Sequence, residues 1–86
     1  MYSIVFTDQA AKQLIKMNDP IYSAMKRGLV ELEKNYFPPG KNCKRLIGKE
    51  KDLYRIRIGS YRVLYYVNHH KKQITILRIF PRGEGY

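Results

Sequence analysis

Apolar residues change their period once along this chain, from helical spacing in the first half to strict alternation in the second. From residue 53 to residue 67 the order is LYRIRIGSYRVLYYV: Tyr54, Ile56 and Ile58 alternate with Arg55 and Arg57, then Tyr61, Val63, Tyr65 and Val67 alternate with Arg62, Leu64 and Tyr66. Successive side chains of a strand point to opposite faces, so both runs predict strands buried on one side. Gly59-Ser60 has the composition of a two-residue hairpin turn between them. A further strand is expected over residues 73–80, after the polar turn His69-His70-Lys71-Lys72, with short β-prone runs at residues 2–6 and 45–47.

In the first half, Thr7-Asp8 supplies side-chain oxygens suited to a helix start, and Ala11, Leu14 and Ile15 follow at helical spacing with Lys12 and Lys16 turned away. Asn18-Asp19-Pro20 signals a restart, with Asp19 as cap and Pro20 in the first helical position, where its missing N–H costs nothing. Ile21, Met25, Leu29 and Leu32 then form one apolar stripe, with Lys26, Arg27 and Glu33 off it. Phe37-Pro38-Pro39-Gly40 stops this second helix and begins a basic loop over residues 41–45. The expected architecture is α+β, in the order β-α-α-β-β-β with room for a further short strand. Two N-terminal helices would cover one face of a mainly antiparallel sheet, in a single domain spanning residues 1–86.

Charge changes the meaning of that pattern. The 86 residues carry 17 basic and 7 acidic side chains, a formal net charge of +10, and most of the excess falls in the strand-rich half. Such a field favours polyanions, nucleic acid first among them, over an anionic membrane or an acidic protein. A lone Cys43 cannot form an internal disulfide, and no signal-like segment or long apolar run is present, so a reducing cytoplasm is the expected compartment. Cys43 beside Lys44 and Arg45 lacks the setting of a nucleophile, and His69-His70 lacks carboxylate or thiolate company for a metal. Neither metal nor cofactor is expected.

The helices leave one sheet face open, and Arg55, Arg57 and Arg62 share it. Arg78 and Arg82 follow with matching parity, and the chain closes on Tyr86. Gathered guanidiniums make a phosphate site, because a planar fork of donors matches phosphoryl oxygens bidentately. Lys41, Lys44, Arg45, Lys49 and Lys51 would form a basic rim for RNA backbone, with Arg78 as a further phosphate contact. Of the eight tyrosines, Tyr54, Tyr61 and Tyr65 belong to the core side, and Tyr66 and Tyr86 to the open one.

The element order, the stretch RLIGKEKDLYRIRIGSYRVLYYV and the closing PRGEGY together resemble the RelE/ParE toxin superfamily of type II toxin–antitoxin systems, its RelE branch most closely. The resemblance implies an endoribonuclease, an mRNA interferase that cuts message in the ribosomal A site without a metal. It carries active residues onto Arg55, Arg57, Arg62, Arg82 and Tyr86, and implies a cognate acidic antitoxin as partner. Two departures bear on the chemistry: Arg55 and Arg57 stand where relatives often have lysine, and Pro81 stands where many have histidine. Arginine can neutralise a phosphorane but hardly ever gives up its proton at neutral pH. Tyr86 is left either to shuttle the proton or to stack on a base. A ParE-like gyrase poison and a non-catalytic RNA-binding module are the competing expectations.

Overall fold

The computed structural model describes residues 1–38, 43–46 and 52–81. Its elements are β1 (Ser3–Phe6), α1 (Asp8–Ile15), α2 (Ile21–Lys34), β2 (Lys44–Arg45), β3 (Leu53–Ile58), β4 (Tyr61–Asn68) and β5 (Gln73–Pro81). They form one five-stranded sheet in the order β1-β5-β4-β3-β2. Every neighbouring pair is antiparallel except β1 with β5, because the two helices carry the chain across the sheet between β1 and the rest. The α+β expectation holds, with both helices on one face of a sheet that is mixed at one edge. The short strand expected at residues 45–47 is Lys44–Arg45 instead, and Ile47 lies outside the described residues.

The alternation does what it predicted. Tyr54, Ile56, Val63, Tyr65 and Val67 join Ile74, Ile76 and Ile79 beneath the helices, which contribute Ala10, Met25, Leu29 and Leu32. At Gly28, an added Cβ would meet the side chain of Ile58, so the missing side chain is what lets α2 lie so close to β3. Gly59 takes φ +60° in the hairpin turn, a region nearly closed to residues with a Cβ. No helix among the described residues is long and apolar enough to cross a membrane.

Two helix expectations need correction. Ile15 is 79% exposed while Ala10 is fully buried, so the inward residues of α1 are Ala10 and Leu14, continued by Met17 just past the helix end, rather than Ala11, Leu14 and Ile15. Helix α1 packs chiefly on β5, and its fully buried position is filled by a small residue, with Leu14 one turn on. Pro20 occupies the N-cap rather than the first helical position. Asp19 still serves the helix start: its Oδ1 accepts from Ser23 N at 3.1 Å and from Ser23 Oγ at 2.6 Å. Those hydrogen bonds hold the Asp19 carboxyl below the usual carboxylate range.

Beneath β2 the aromatic residues form a packed corner. The rings of Tyr54 and Tyr65 stack 5.5 Å apart, and Tyr65 donates its hydroxyl proton to the Tyr36 carbonyl at 2.7 Å. Its one proton being used, Tyr65 can only accept from the Cys43 thiol 2.9 Å away. Burial pushes the Cys43 thiol up, and Tyr65 and Tyr54 with it. Cys43 is therefore a protonated structural donor, not a nucleophile.

Candidate nucleic-acid interface

The hairpin register builds the site. Arg57 lies directly opposite Arg62, and Arg55 opposite Leu64, so the three arginines share the face away from the helices. Next to β3, Lys44 lies opposite Arg55 and faces the same way, while its neighbour Arg45 lies opposite the buried Tyr54 and faces the helix side. Lys44, Arg55, Arg57 and Arg62 line one shallow cavity of about 140 Å³. That is well under the roughly 300 Å³ at which small-molecule pockets begin, and suits a group the size of a phosphoryl.

Two like-charged pairs, Lys44 with Arg55 and Arg57 with Arg62, stand directly across from each other in this sheet. Such pairs oppose folding. No acidic residue occupies a strand position of this face among the described residues, so the arrangement makes physical sense as a binding site for an anion.

Along the sheet the face changes character. Leu53, Leu64, Tyr66, Thr75 and Leu77 form an apolar band beside the basic cavity. The band agrees with the expectation that Tyr66 faces outward; its extent comes from register between strands and was not visible in any one of them. Arg78 also reaches this face, opposite Leu64 and one strand beyond the cavity, with its guanidinium 5.0 Å from the Phe80 ring. It does so for a reason that parity alone misses. Ile74 and Ile76 are buried on the helix side, and an unbroken strand would send Arg78 the same way. The pairing instead slips between Leu64 and Tyr65, with Leu77 as the extra residue, and this bulge turns Arg78 outward.

Of the expected site residues, the structure brings Arg55, Arg57 and Arg62 together, adds Lys44 to them, and sets Arg78 near by. Arg45 is turned from this face. Arg82, Tyr86, Lys41, Lys49 and Lys51 lie outside the described residues. His69 sits at the opposite end of the sheet, its Nε2 3.3 Å from Asp52 and its Nδ1 3.1 Å from the Tyr2 hydroxyl, so both ring nitrogens already have protein partners. A second cleft, between α2 and the end of β3, mixes Arg27 with Glu31 and lacks the single-signed field of the open face.

Comparison with known proteins agrees with this fold. The model of the ParE toxin family of type II toxin–antitoxin systems, parDE, matches residues 4–86. No curated protein matches by sequence. Among solved structures, the archaeal RelE–RelB complex from Pyrococcus horikoshii includes a chain 34% identical, covering 98% of both chains with a TM-score of 0.85. The RelBE2 toxin–antitoxin complex from Mycobacterium tuberculosis matches at 26% identity, covering 94% of this chain and 98% of that one, with a TM-score of 0.74. The isolated E. coli RelE toxin shares the fold at 22% identity and a TM-score of 0.82, over 99% of this chain and 88% of that one. With its two helices, five-stranded sheet and open basic face, this chain belongs to the RelE/ParE superfamily of toxins from type II toxin–antitoxin systems.

Proposed function

We propose that this toxin is a metal-free endoribonuclease that cuts messenger RNA on the ribosome and so inhibits translation. The observation that carries the reading is the convergence of Lys44, Arg55, Arg57 and Arg62 on one phosphoryl-sized cavity, in a face with no acidic strand residue among the described residues. In the reaction the ribose 2'-oxygen loses its proton and attacks the adjacent phosphorus while the 5'-oxygen leaves and takes up a proton, giving a 2',3'-cyclic phosphate, which a water molecule opens to a 3'-phosphate, and a 5'-hydroxyl on the other product. The four cations offset the charge that builds on the non-bridging oxygens. Each well-aimed donor in such a site is worth about 10² to 10³ in rate.

Arginine and lysine so placed stabilise charge and do not take the 2'-OH proton at neutral pH. Arg82 and Tyr86 complete the proposed set, Tyr86 as proton shuttle or stacking partner. A site this poor in acid–base groups gains most where the substrate is already held in line, as a codon in the A site is. Messenger RNA as substrate makes the cytoplasm the working compartment. The relatives from P. horikoshii and M. tuberculosis were solved as complexes with their antitoxins, and a cognate antitoxin with an acidic segment is the matching partner for this basic face.

The matching ParE family model favours a second reading, a toxin that acts on DNA gyrase without cutting RNA. One experiment separates the readings: purified toxin is added to translating ribosomes and the message ends are mapped, for wild type, Arg62→Ala and Arg82→Ala. Cuts in the A site that fall at least 100-fold in Arg62→Ala support the nuclease. Intact message with inhibited supercoiling by gyrase supports the second reading and sinks the first. Salt-sensitive RNA binding without cuts would reduce the protein to a binding module.

A further inference from the structure

Helix α1 holds the bulge that aims Arg78. In a regular strand successive carbonyls point to opposite edges, yet the carbonyls of Ile76 and Leu77 both turn toward Thr7. Thr7 N donates to Ile76 O at 3.0 Å, and Thr7 Oγ1 donates to Leu77 O at 2.8 Å. Two residues on, the Ile79 N–H is taken by Gln13 Oε1 at 2.7 Å, across 66 positions of sequence. Strand β1 ends at Phe6, opposite Ile76, so beyond that point β5 has no strand on this edge. Thr7 and Gln13 replace it. Thr7 also caps α1, accepting from Ala10 N at 3.2 Å, so one hydroxyl joins the start of the helix to the bulge.

We infer that Thr7 and Gln13 are positioning residues for RNA binding: by pinning the Leu77 bulge they keep Arg78 on the open face as a phosphate contact flanking the basic cavity. The inference rests on the proposed RNA substrate and names a device of the same site. Its physical basis is the period of two. A register one residue different would send Arg78 to the side where Ile74 and Ile76 are fully buried, a place a guanidinium does not occupy without a partner. Held outward, Arg78 lies along the Phe80 ring, and its buried Nε has no hydrogen-bond partner among the described residues. The side chain is thus fixed in direction with no acidic strand neighbour on its own face among the described residues, as a phosphate-binding cation should be.

The test reads binding rather than cleavage, with a fluorescent 2'-O-methyl RNA oligonucleotide that cannot be cut, titrated at several salt concentrations. Variants are Arg78→Ala, Gln13→Leu, Gln13→Glu and the double Arg78→Ala/Gln13→Leu, each with its urea midpoint. Arg78→Ala is expected to weaken binding roughly tenfold at low salt and to lower the salt slope by about 0.7, the loss of one contact to single-stranded phosphate. Gln13→Leu should reproduce that slope change although it touches no RNA. Gln13→Glu, which keeps an acceptor for Ile79 N–H, should retain the wild-type slope, and the double variant should bind no worse than Arg78→Ala. Losses that add in the double variant, or a Gln13→Leu protein with a lower urea midpoint but an unchanged slope, would overturn the inference alone. Wild-type binding by Arg78→Ala would also overturn it while leaving the nuclease reading on the cavity; a wild-type protein that binds no RNA overturns both.

Discussion

The two faces of this sheet are made from alternate residues of the same strands and obey different rules. Under the helices, Val63, Tyr65 and Val67 are fully buried among other apolar groups, and burial of that kind is what holds a small domain together. One residue away on the same strand, Arg62 stands opposite Arg57, and across the next pair Lys44 stands opposite Arg55, arrangements that oppose folding. The closed face stabilises the protein, and the open face spends part of that stability on a concentrated positive field. Under the proposed nuclease reading the open face has to be built this way, since a neutralising carboxylate in the cavity would compete with the phosphate.

The comparison can be broken most severely at Val63 and Leu64, neighbours with opposite outlooks. Val63→Asp puts an unpaired carboxylate into the core and should abolish cooperative unfolding at room temperature, at a cost of several kcal/mol against a margin of roughly 5 to 10. Leu64→Asp places the same charge on the open face; its urea midpoint should stay close to wild type while RNA binding falls. Equal damage from both would mean the open face is packed like the other.

A smaller effect on the same axis is expected at Arg57. Arg57→Gln removes one member of a like-charged cross-strand pair, and the protein should become more stable by a few tenths of a kcal/mol up to about 1. The gain should shrink as salt screens the pair, and urea unfolding at two ionic strengths reads it. Cleavage should fall in the same variant. A variant that loses stability would show that Arg57 is structural.

The smallest effect concerns the aromatic corner on the closed side. Burial raises the Cys43 thiol above its unfolded value, so the native state favours the protonated form. Its contribution is complete below about pH 8.5 and is lost as the pH rises through the raised native value. The stability difference between wild type and Cys43→Ala should therefore narrow on the alkaline side. Iodoacetamide should label native Cys43 more slowly than a free thiol at pH 8, and labelling at the free-thiol rate would contradict the Tyr65 hydrogen bond.

How much of the site was legible in the sequence differs residue by residue. Arg55, Arg57 and Arg62 could be placed together because a two-residue turn ties the register of β3 and β4 to local sequence. Lys44 could be placed only in the rim, since whether Lys44 or Arg45 turns to the cavity depends on how a two-residue strand pairs with Arg55 and Tyr54. The spacing of Ile15 fits an inward helical position; which of two overlapping stripes on a short helix turns inward is settled by the packing of α1 on β5, which buries Ala10 and leaves Ile15 exposed. The parity of Arg78 gave a matching answer by a route that fails in the folded chain, where the odd and even positions of β5 exchange faces at Leu77.

Alternation of side chains is a property of the backbone over a few residues, so the sequence by itself determined that this protein would have one buried apolar sheet face and one open face carrying the hairpin arginines, and which residues of the hairpin would lie on each. Strand partners, the parallel seat of β1 beside β5 and the bulge at Leu77 were decided only in the tertiary structure. They depend on hydrogen bonds from Thr7 and Gln13 to groups some 70 and 66 residues away, and no local pattern specifies where a distant donor or acceptor will be found.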